Sequence, residues 1–238
     1  MKTEGRNAVI ELLKTDKTVD KILMEKGAEG NLGRIFAMAR KKNIRVQFVA
    51  RTVLDKESIE KRHQGVIAFT TEFSYSELED FLGKEESLIV LCDGIEDVHN
   101  LGSILRVAEC AGADGVAIPA NRSATVNEAV IRISAGAAEH IKVAKVNSIN
   151  HAIDDLKEAG YMVYALEAGG ENIYDEQFSG KIALVVGGED SGVRRLTKEK
   201  CDKTLSIPLM GKVNSLNASV ALGIGVYEVV RARLKANN

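Results

Sequence analysis

Three short stretches of this chain combine glycines with side chains that cap, carry charge or hydrogen-bond. The first includes Asn100, Gly102 and Arg106, the second is Gly187-Gly188-Glu189-Asp190-Ser191-Gly192, and the third runs from Ser206 to Ser219. In the third, Pro208 fixes its own φ, offers no N–H and biases Ile207 towards an extended shape. Asn214, Ser215, Asn217 and Ser219 are residues that accept from the free N–H groups at a helix start. In the second, two glycines directly after an apolar run free the backbone to wrap a ligand, although any tight turn has the same composition. In the first, Asn100 reads as a helix cap. Gly102 costs a helix about 1 kcal/mol relative to Ala and permits a close approach. Arg106 stands among Ile104, Leu105, Val107 and Ala108, where a long cation needs a reason.

Each stretch follows a run of strand length and leads into a helical pattern. From residue 87 the chain alternates regularly. Strands are expected at 88–92, 115–118, 141–146, 161–166, 182–186 and 204–209, and helices at 101–111, 126–135, 149–159, 193–200 and 218–234. Near-continuous apolar strands with helical crossovers predict a parallel α/β sheet covered on both faces. The loops at its carboxyl ends are then the natural place for a ligand. Ahead of this, helices at 7–14, 30–42 and 55–61 alternate with strands at 19–24, 45–49 and 66–71, a small α/β unit over residues 1–73. The polar, acidic segment 74–86 reads as a linker, and 87–238 as the second domain.

The net charge of −2 argues for nothing, but its distribution does. Residues 1–75 carry 15 Lys and Arg against 10 Asp and Glu, and residues 76–238 carry 17 against 24. A basic front on an acidic back suggests that the front meets a polyanion. Its cations crowd late, at Arg40, Lys41, Lys42, Arg45, Arg51, Lys56, Lys61 and Arg62. Cys92, Cys110 and Cys201 are scattered, as are the four histidines, and neither set has metal-ligand spacing. No apolar run is long enough to span a bilayer. The start of the chain becomes charged at once, so a cytoplasmic location is the expectation. No dinucleotide-binding glycine pattern, phosphate loop or nucleophile elbow occurs, which argues against a nucleotide-dependent α/β enzyme of another kind.

Taken together, Asn100-x-Gly102-x-x-x-Arg106, Gly187-x-Glu189, and Ile207-Pro208-x-x-Gly211 with Ser215-Leu216-Asn217-Ala218-Ser219 resemble the motif triplet of the SpoU (TrmH) family of RNA ribose 2'-O-methyltransferases. The front, with Gly5-Arg6-Asn7 and His63-Gln64-Gly65, resembles the ribosomal-protein-like RNA-binding extension of the branch that methylates a guanosine of 23S ribosomal RNA. One departure is Val98, where the family commonly has proline.

The resemblance implies an α/β methyltransferase with a deep C-terminal trefoil knot and a homodimer with its active site near the subunit interface. It implies S-adenosylmethionine, and no metal, held in the knot at the backbone of Gly187, Ile207 and Leu216, with Gly188, Pro208, Met210 and Gly211 beside them. It implies that Arg106 assists deprotonation of the 2'-hydroxyl, while Asn100, Glu189, Ser215 and Asn217 position the groups. Arginine is a poor base, with a pKa above about 12, so the fork is expected to hold phosphate and developing alkoxide charge. The implied partner is 23S ribosomal RNA or an assembling large subunit. The alternatives are a guanosine ribose in transfer RNA, or a non-catalytic RNA-binding assembly factor on the same scaffold.

Overall fold

The computed structural model describes residues 2–15, 17–27, 31–58, 62–70, 73–189 and 191–236. The chain forms two compact bodies: residues 1–74 with 126–128, and residues 75–125 with 129–238.

In the first body the elements run β1 (Lys2–Glu4), α1 (Arg6–Lys14), β2 (Val19–Glu25), α2 (Asn31–Lys41), β3 (Arg45–Val49), α3 (Arg51–Glu57) and β4 (Val66–Thr70). The sheet order is β1-β4-β2-β3, with β4 antiparallel to both neighbours and β3 parallel to β2. Strand alternation divides its side chains between two cores. Ile22, Met24, Val66 and Ala68 meet α1 and α2 through Leu13, Leu32 and Ile35. Leu23 and Ile67, from the opposite face, meet Leu54 of α3.

Helix α3 begins at Arg51, four residues before the expected start. Leu54 is its buried anchor, and extended Ser58 ends it. Residues 59–61 of the expected helix, Gly30 at the expected start of α2 and Lys61 of the basic cluster lie outside the described residues.

The two front motifs clasp each other. Arg6 N donates to Gln64 Oε1 at 3.1 Å and Arg6 Nε to Gln64 O at 3.0 Å. His63 is buried, with Nδ1 accepting from Gly65 N at 3.0 Å and Nε2 lying 2.9 Å from Asp55 Oδ1. His63 and Gln64 therefore hold the turn together.

From Tyr75 on, the segment expected as a linker is part of the second body. Ser76 N donates to Val143 O at 2.9 Å, and a single turn of 3-10 helix at Leu78–Phe81 buries Leu78 and Phe81 in the core. The lack of a side chain at Gly115 makes this possible, since a Cβ there would stand 2.7 Å from the Phe81 ring.

The second body continues with β5 (Ser87–Asp93), α4 (Val98–Cys110), β6 (Gly115–Pro119), α5 (Glu128–Ile133), β7 (Lys142–Val146), α6 (Ile149–Glu158), β8 (Met162–Asn172), β9 (Lys181–Gly187), α7 (Arg195–Lys200), β10 (Lys203–Ser206) and α8 (Ala218–Ala236). The sheet is parallel throughout, in the order β10-β8-β9-β5-β6-β7. Helices α6 and α7 pack together, as do α4 and α8. Ile89, Leu91, Val163, Ala165, Ala183 and Val185 share a core with α6. Gly225 of α8 packs on Leu166 and Leu184, whose side chains point the opposite way.

The winding of the chain reverses between β5 and β9: after β5 the chain moves towards β6, and after β9 it moves towards β10. Such a switch opens a crevice at the carboxyl ends of the strands. β8 runs six residues beyond its expected end, because β10 pairs with its extension after a shift between Thr204 and Leu205. β10 itself stops at Ser206, before Pro208.

Candidate functional site

The loops after β5, β9 and β10 meet at this switch point. Helix α4 starts at Val98 with Asp97 as its cap, Asp97 Oδ1 accepting from His99 N at 2.5 Å. Asn100 is therefore not the cap expected from the sequence; it lies inside the first turn, which leaves its side chain free. Val98 takes the first helical position, where proline is well tolerated, so the departure noted above loses only preorganisation.

Asn100, buried to 5 % exposure, donates from Nδ2 to Glu189 Oε1 at 2.7 Å. Asn217, just before α8, donates from Nδ2 to Asn100 Oδ1 at 2.8 Å and to Glu189 Oε1 at 2.9 Å. Its Oδ1 accepts from Ser219 N at 3.0 Å and Ser219 Oγ at 2.6 Å. One side chain thus caps α8 and ties it to the other two loops. The bonds to Glu189 are charge-assisted, and stronger than neutral ones.

Beside this cluster lies a cleft of about 460 Å³ at the carboxyl ends of β8, β9 and β10, within the size range of small-molecule sites. Gly187, Gly188, Glu189, Ile207, Ser215 and Leu216 line it, along with Leu166, Glu167 and Asn214 among others. Pro208, Met210 and Gly211, expected at the cofactor, are not among the lining residues, and Met210 is 97 % exposed. Asp190 lies outside the described residues.

Gly187 and Gly188 are required by the chain's own packing. A Cβ on Gly187 would stand 1.9 Å from Gly192 C, and one on Gly188 would stand 2.5 Å from Gly94 O. Gly102 does not admit a ligand. It makes room for Ile133, whose Cγ2 would lie 2.6 Å from a Cβ there.

Arg106 sits on α4 six residues after Asn100, about 9 Å further along the axis at the rise of an α-helix. It is exposed and makes no hydrogen bond or ion pair among the described residues. Of the five residues expected to carry the chemistry, the fold joins Asn100, Glu189 and Asn217, sets Ser215 in the adjoining cleft wall, and leaves Arg106 on the open face of α4.

Two carboxylates missed in the sequence hold the glycine loop. Asp93, 1 % exposed, accepts from Arg194 N at 2.9 Å, and its Oδ1 lies 3.2 Å from Arg194 Nη1, while its own carbonyl accepts from Gly188 N at 3.2 Å. Glu167 Oε2 accepts from Val193 N at 2.7 Å. The available signal was a carboxylate directly after an apolar strand, at both positions.

Burial pushes the Cys92 and Cys201 thiols up to about 12, so both behave as small hydrophobes. Among the described residues no group of three or more His, Cys, Asp or Glu is placed to hold a metal.

Comparison with known proteins follows the two bodies. The profile of the SpoU rRNA methylase family matches residues 87–227, and that of RNA 2'-O ribose methyltransferase substrate binding matches residues 3–76. The chain is 40 % identical over 236 residues to YacO of Bacillus subtilis, assigned to the TrmH family of tRNA/rRNA methyltransferases, covering 96 % of this chain and 94 % of that protein. A solved AdoMet-bound rRNA methyltransferase from Sinorhizobium meliloti superposes with a TM-score of 0.62 at 25 % identity, over 97 % of this chain and 86 % of that one. The SpoU methyltransferase AviRb from Streptomyces viridochromogenes shares the fold, with a TM-score of 0.66 at 24 % identity, over 99 % and 90 % of the two chains.

Proposed function

This chain belongs to the SpoU rRNA methylase family, and on that premise we propose that it moves a methyl group from S-adenosylmethionine to the ribose 2'-hydroxyl of a guanosine in 23S ribosomal RNA. The observation that carries the reading is the meeting of Asn100, Glu189 and Asn217 at the rim of the carboxyl-end cleft. The cleft fits the donor in size, and its glycine and loop backbone, at Gly187, Gly188, Ile207 and Leu216, would hold it. When bound, the donor supplies a methyl group already activated by its sulfonium.

The chain's residues must then orient the hydroxyl and manage its proton. Glu189 contributes negative charge beside a cationic donor, and its geometry is set by the two amides that bond Oε1. Ser215 adds a hydroxyl in the cleft wall. The Arg106 guanidinium already carries its proton and offers no acceptor for another, so it is no general base. Its fork holds a substrate phosphate and the charge that develops on the 2'-oxygen, the proton passing to a phosphate oxygen or water. An exposed guanidinium with no partner among the described residues suits a group that waits for its anion. In this reading the enzyme is a homodimer with a trefoil-knotted C-terminal region, and the active site forms near the subunit interface.

The names of the relatives include transfer RNA, so that substrate is the second reading. Methyl transfer from labelled S-adenosylmethionine to 23S and transfer RNA transcripts, followed by mapping of the modified ribose, decides between them. Label entering neither RNA, with no heat of cofactor binding by calorimetry, refutes the enzyme reading in favour of a binding factor. Within the mechanism, Arg106→Lys replaces a planar fork by a point charge. It is expected to cut kcat/KM by more than about tenfold while shifting stability by less than about 0.5 kcal/mol. A fully active lysine variant removes the role given to the guanidinium.

A further inference from the structure

The first body presents an aromatic pair that its sequence spacing conceals. Phe36 of α2 and Phe48 of β3 stand with ring centroids 5.5 Å apart and planes at 48°. They are 36 % and 49 % exposed, large values for phenylalanines already paired. The cause is topological. β3 is an edge strand, and Phe48 lies across from Met24, which is buried at 2 %, so its ring hangs over the rim of the core.

On α2, Gly33, Phe36 and Arg40 follow one another at helical spacing on one flank. Among the described residues nothing lies within 4 Å of where a Cβ on Gly33 would stand, so they leave the ring open on that side. The surroundings are cationic. α2 and β3 contain no carboxylate, but carry Arg34, Arg40, Lys41 and Arg45, all exposed. Arg51 follows β3, 65 % exposed and 3.5 Å from Glu25.

Flat apolar rings with the Arg40 guanidinium on the same flank of α2, carried on two elements whose only charges are cationic, match a strand whose bases are apolar faces and whose backbone is anionic. A paired helix hides its base faces, so the rings can be used only by unstacked nucleotides. We infer that Phe36 and Phe48 form a stacking platform for unpaired bases of the RNA substrate, with Arg40 and its neighbours holding the adjoining phosphates. The inference rests on the RNA-substrate reading above and adds the structural class of RNA that the first body grips.

The test measures full-length protein binding to a fluorescent hairpin with an unpaired purine loop and to a blunt duplex of the same stem. Phe48→Leu keeps apolar volume and removes the flat ring. It is expected to weaken hairpin binding about 5- to 150-fold, the range for one lost base–aromatic stack, and to leave the duplex affinity and the salt slope unchanged. Phe48→Trp is expected to restore hairpin binding. Arg40→Ala is expected to weaken both RNAs alike and to lower the salt slope by about one. If Phe48→Leu lowers the melting temperature, Phe36→Leu gives the same readout from α2. Equal loss on both RNAs, no loss, or failure of the Trp variant overturns the platform, the last two leaving the patch to a protein partner. Wild-type protein that methylates RNA while the Leu variants bind the hairpin normally overturns this inference alone. Wild-type protein that binds neither RNA overturns it together with the substrate reading.

Discussion

Asn217 carries two duties that a substitution can separate. Its Oδ1 caps α8, and its Nδ2 donates to Asn100 Oδ1 at 2.8 Å and to Glu189 Oε1 at 2.9 Å. Serine caps a helix about as well as asparagine does, so in Asn217→Ser the change of cap by itself is expected to cost no more than a few tenths of a kcal/mol in stability. Alanine removes the cap as well and is expected to cost about 1 kcal/mol more than serine. Both variants lose the two Nδ2 bonds. A hydrogen bond to a charged group contributes about 1.5–3 kcal/mol, and Glu189 is exposed, so the lower figure applies to it. About 1.4 kcal/mol corresponds to a tenfold change in rate. Asn217→Ser is therefore expected to lose about 1.5 kcal/mol of stability with the two bonds, and to lower kcat/KM for methyl transfer about tenfold or more as Glu189 and Asn100 lose their fixed geometry. Asn217→Asp keeps the cap but sets a carboxylate against Glu189, and is expected to be worse in activity than the serine variant. The assays are urea denaturation and initial-rate transfer of labelled methyl to RNA. A serine variant with wild-type kcat/KM would show that the contact to Glu189 is only a cap's by-product, and the cluster would lose its place in the mechanism.

Phe81→Ala is expected to destabilise the second body by about 3–5 kcal/mol, since it opens a cavity in that core. Chemical denaturation measures this, and a cost near zero would restore residues 74–86 to a tether. Asp114 predicts an acid dependence. Burial pushes its carboxyl up, but bonds from Lys84, Ser87 Oγ and Leu88 N outweigh that and hold it below the usual carboxylate range. A lowered folded value stabilises above the unfolded value of about 3.9 and loses that contribution as pH falls through the folded one. Asp114→Asn is accordingly expected to melt below wild type at pH 7, with the gap narrowing below about pH 4. A gap that does not change between pH 7 and pH 3 contradicts the assignment.

The alternation of apolar runs and helical patterns was enough to place nearly every strand and helix of both bodies, because each buries a continuous apolar face. It also put the three glycine-bearing loops at carboxyl ends of strands. Boundaries failed where a partner sets them. β1 is three residues with no alternation, and it exists through its pairing with β4. The extension of β8 exists because β10 pairs with it after a register shift. Phe81 reads as part of a polar linker until Gly115, far along the chain, leaves room for its ring.

At the site, residue types singled out the three loops, and the resemblance to the SpoU family picked Asn100, Glu189 and Asn217 out of them. Their contact depends on a strand order that reverses between β5 and β9, and no local pattern encodes that order. The supporting roles of buried Asp93 and half-buried Glu167 could not be read for the same reason, since their partners at 193 and 194 arrive only when β9 lies beside β5 and β8. Local hydrophobic periodicity is written into the chain residue by residue. Which loops become neighbours is decided by how whole faces pack, and that is a property of the folded molecule.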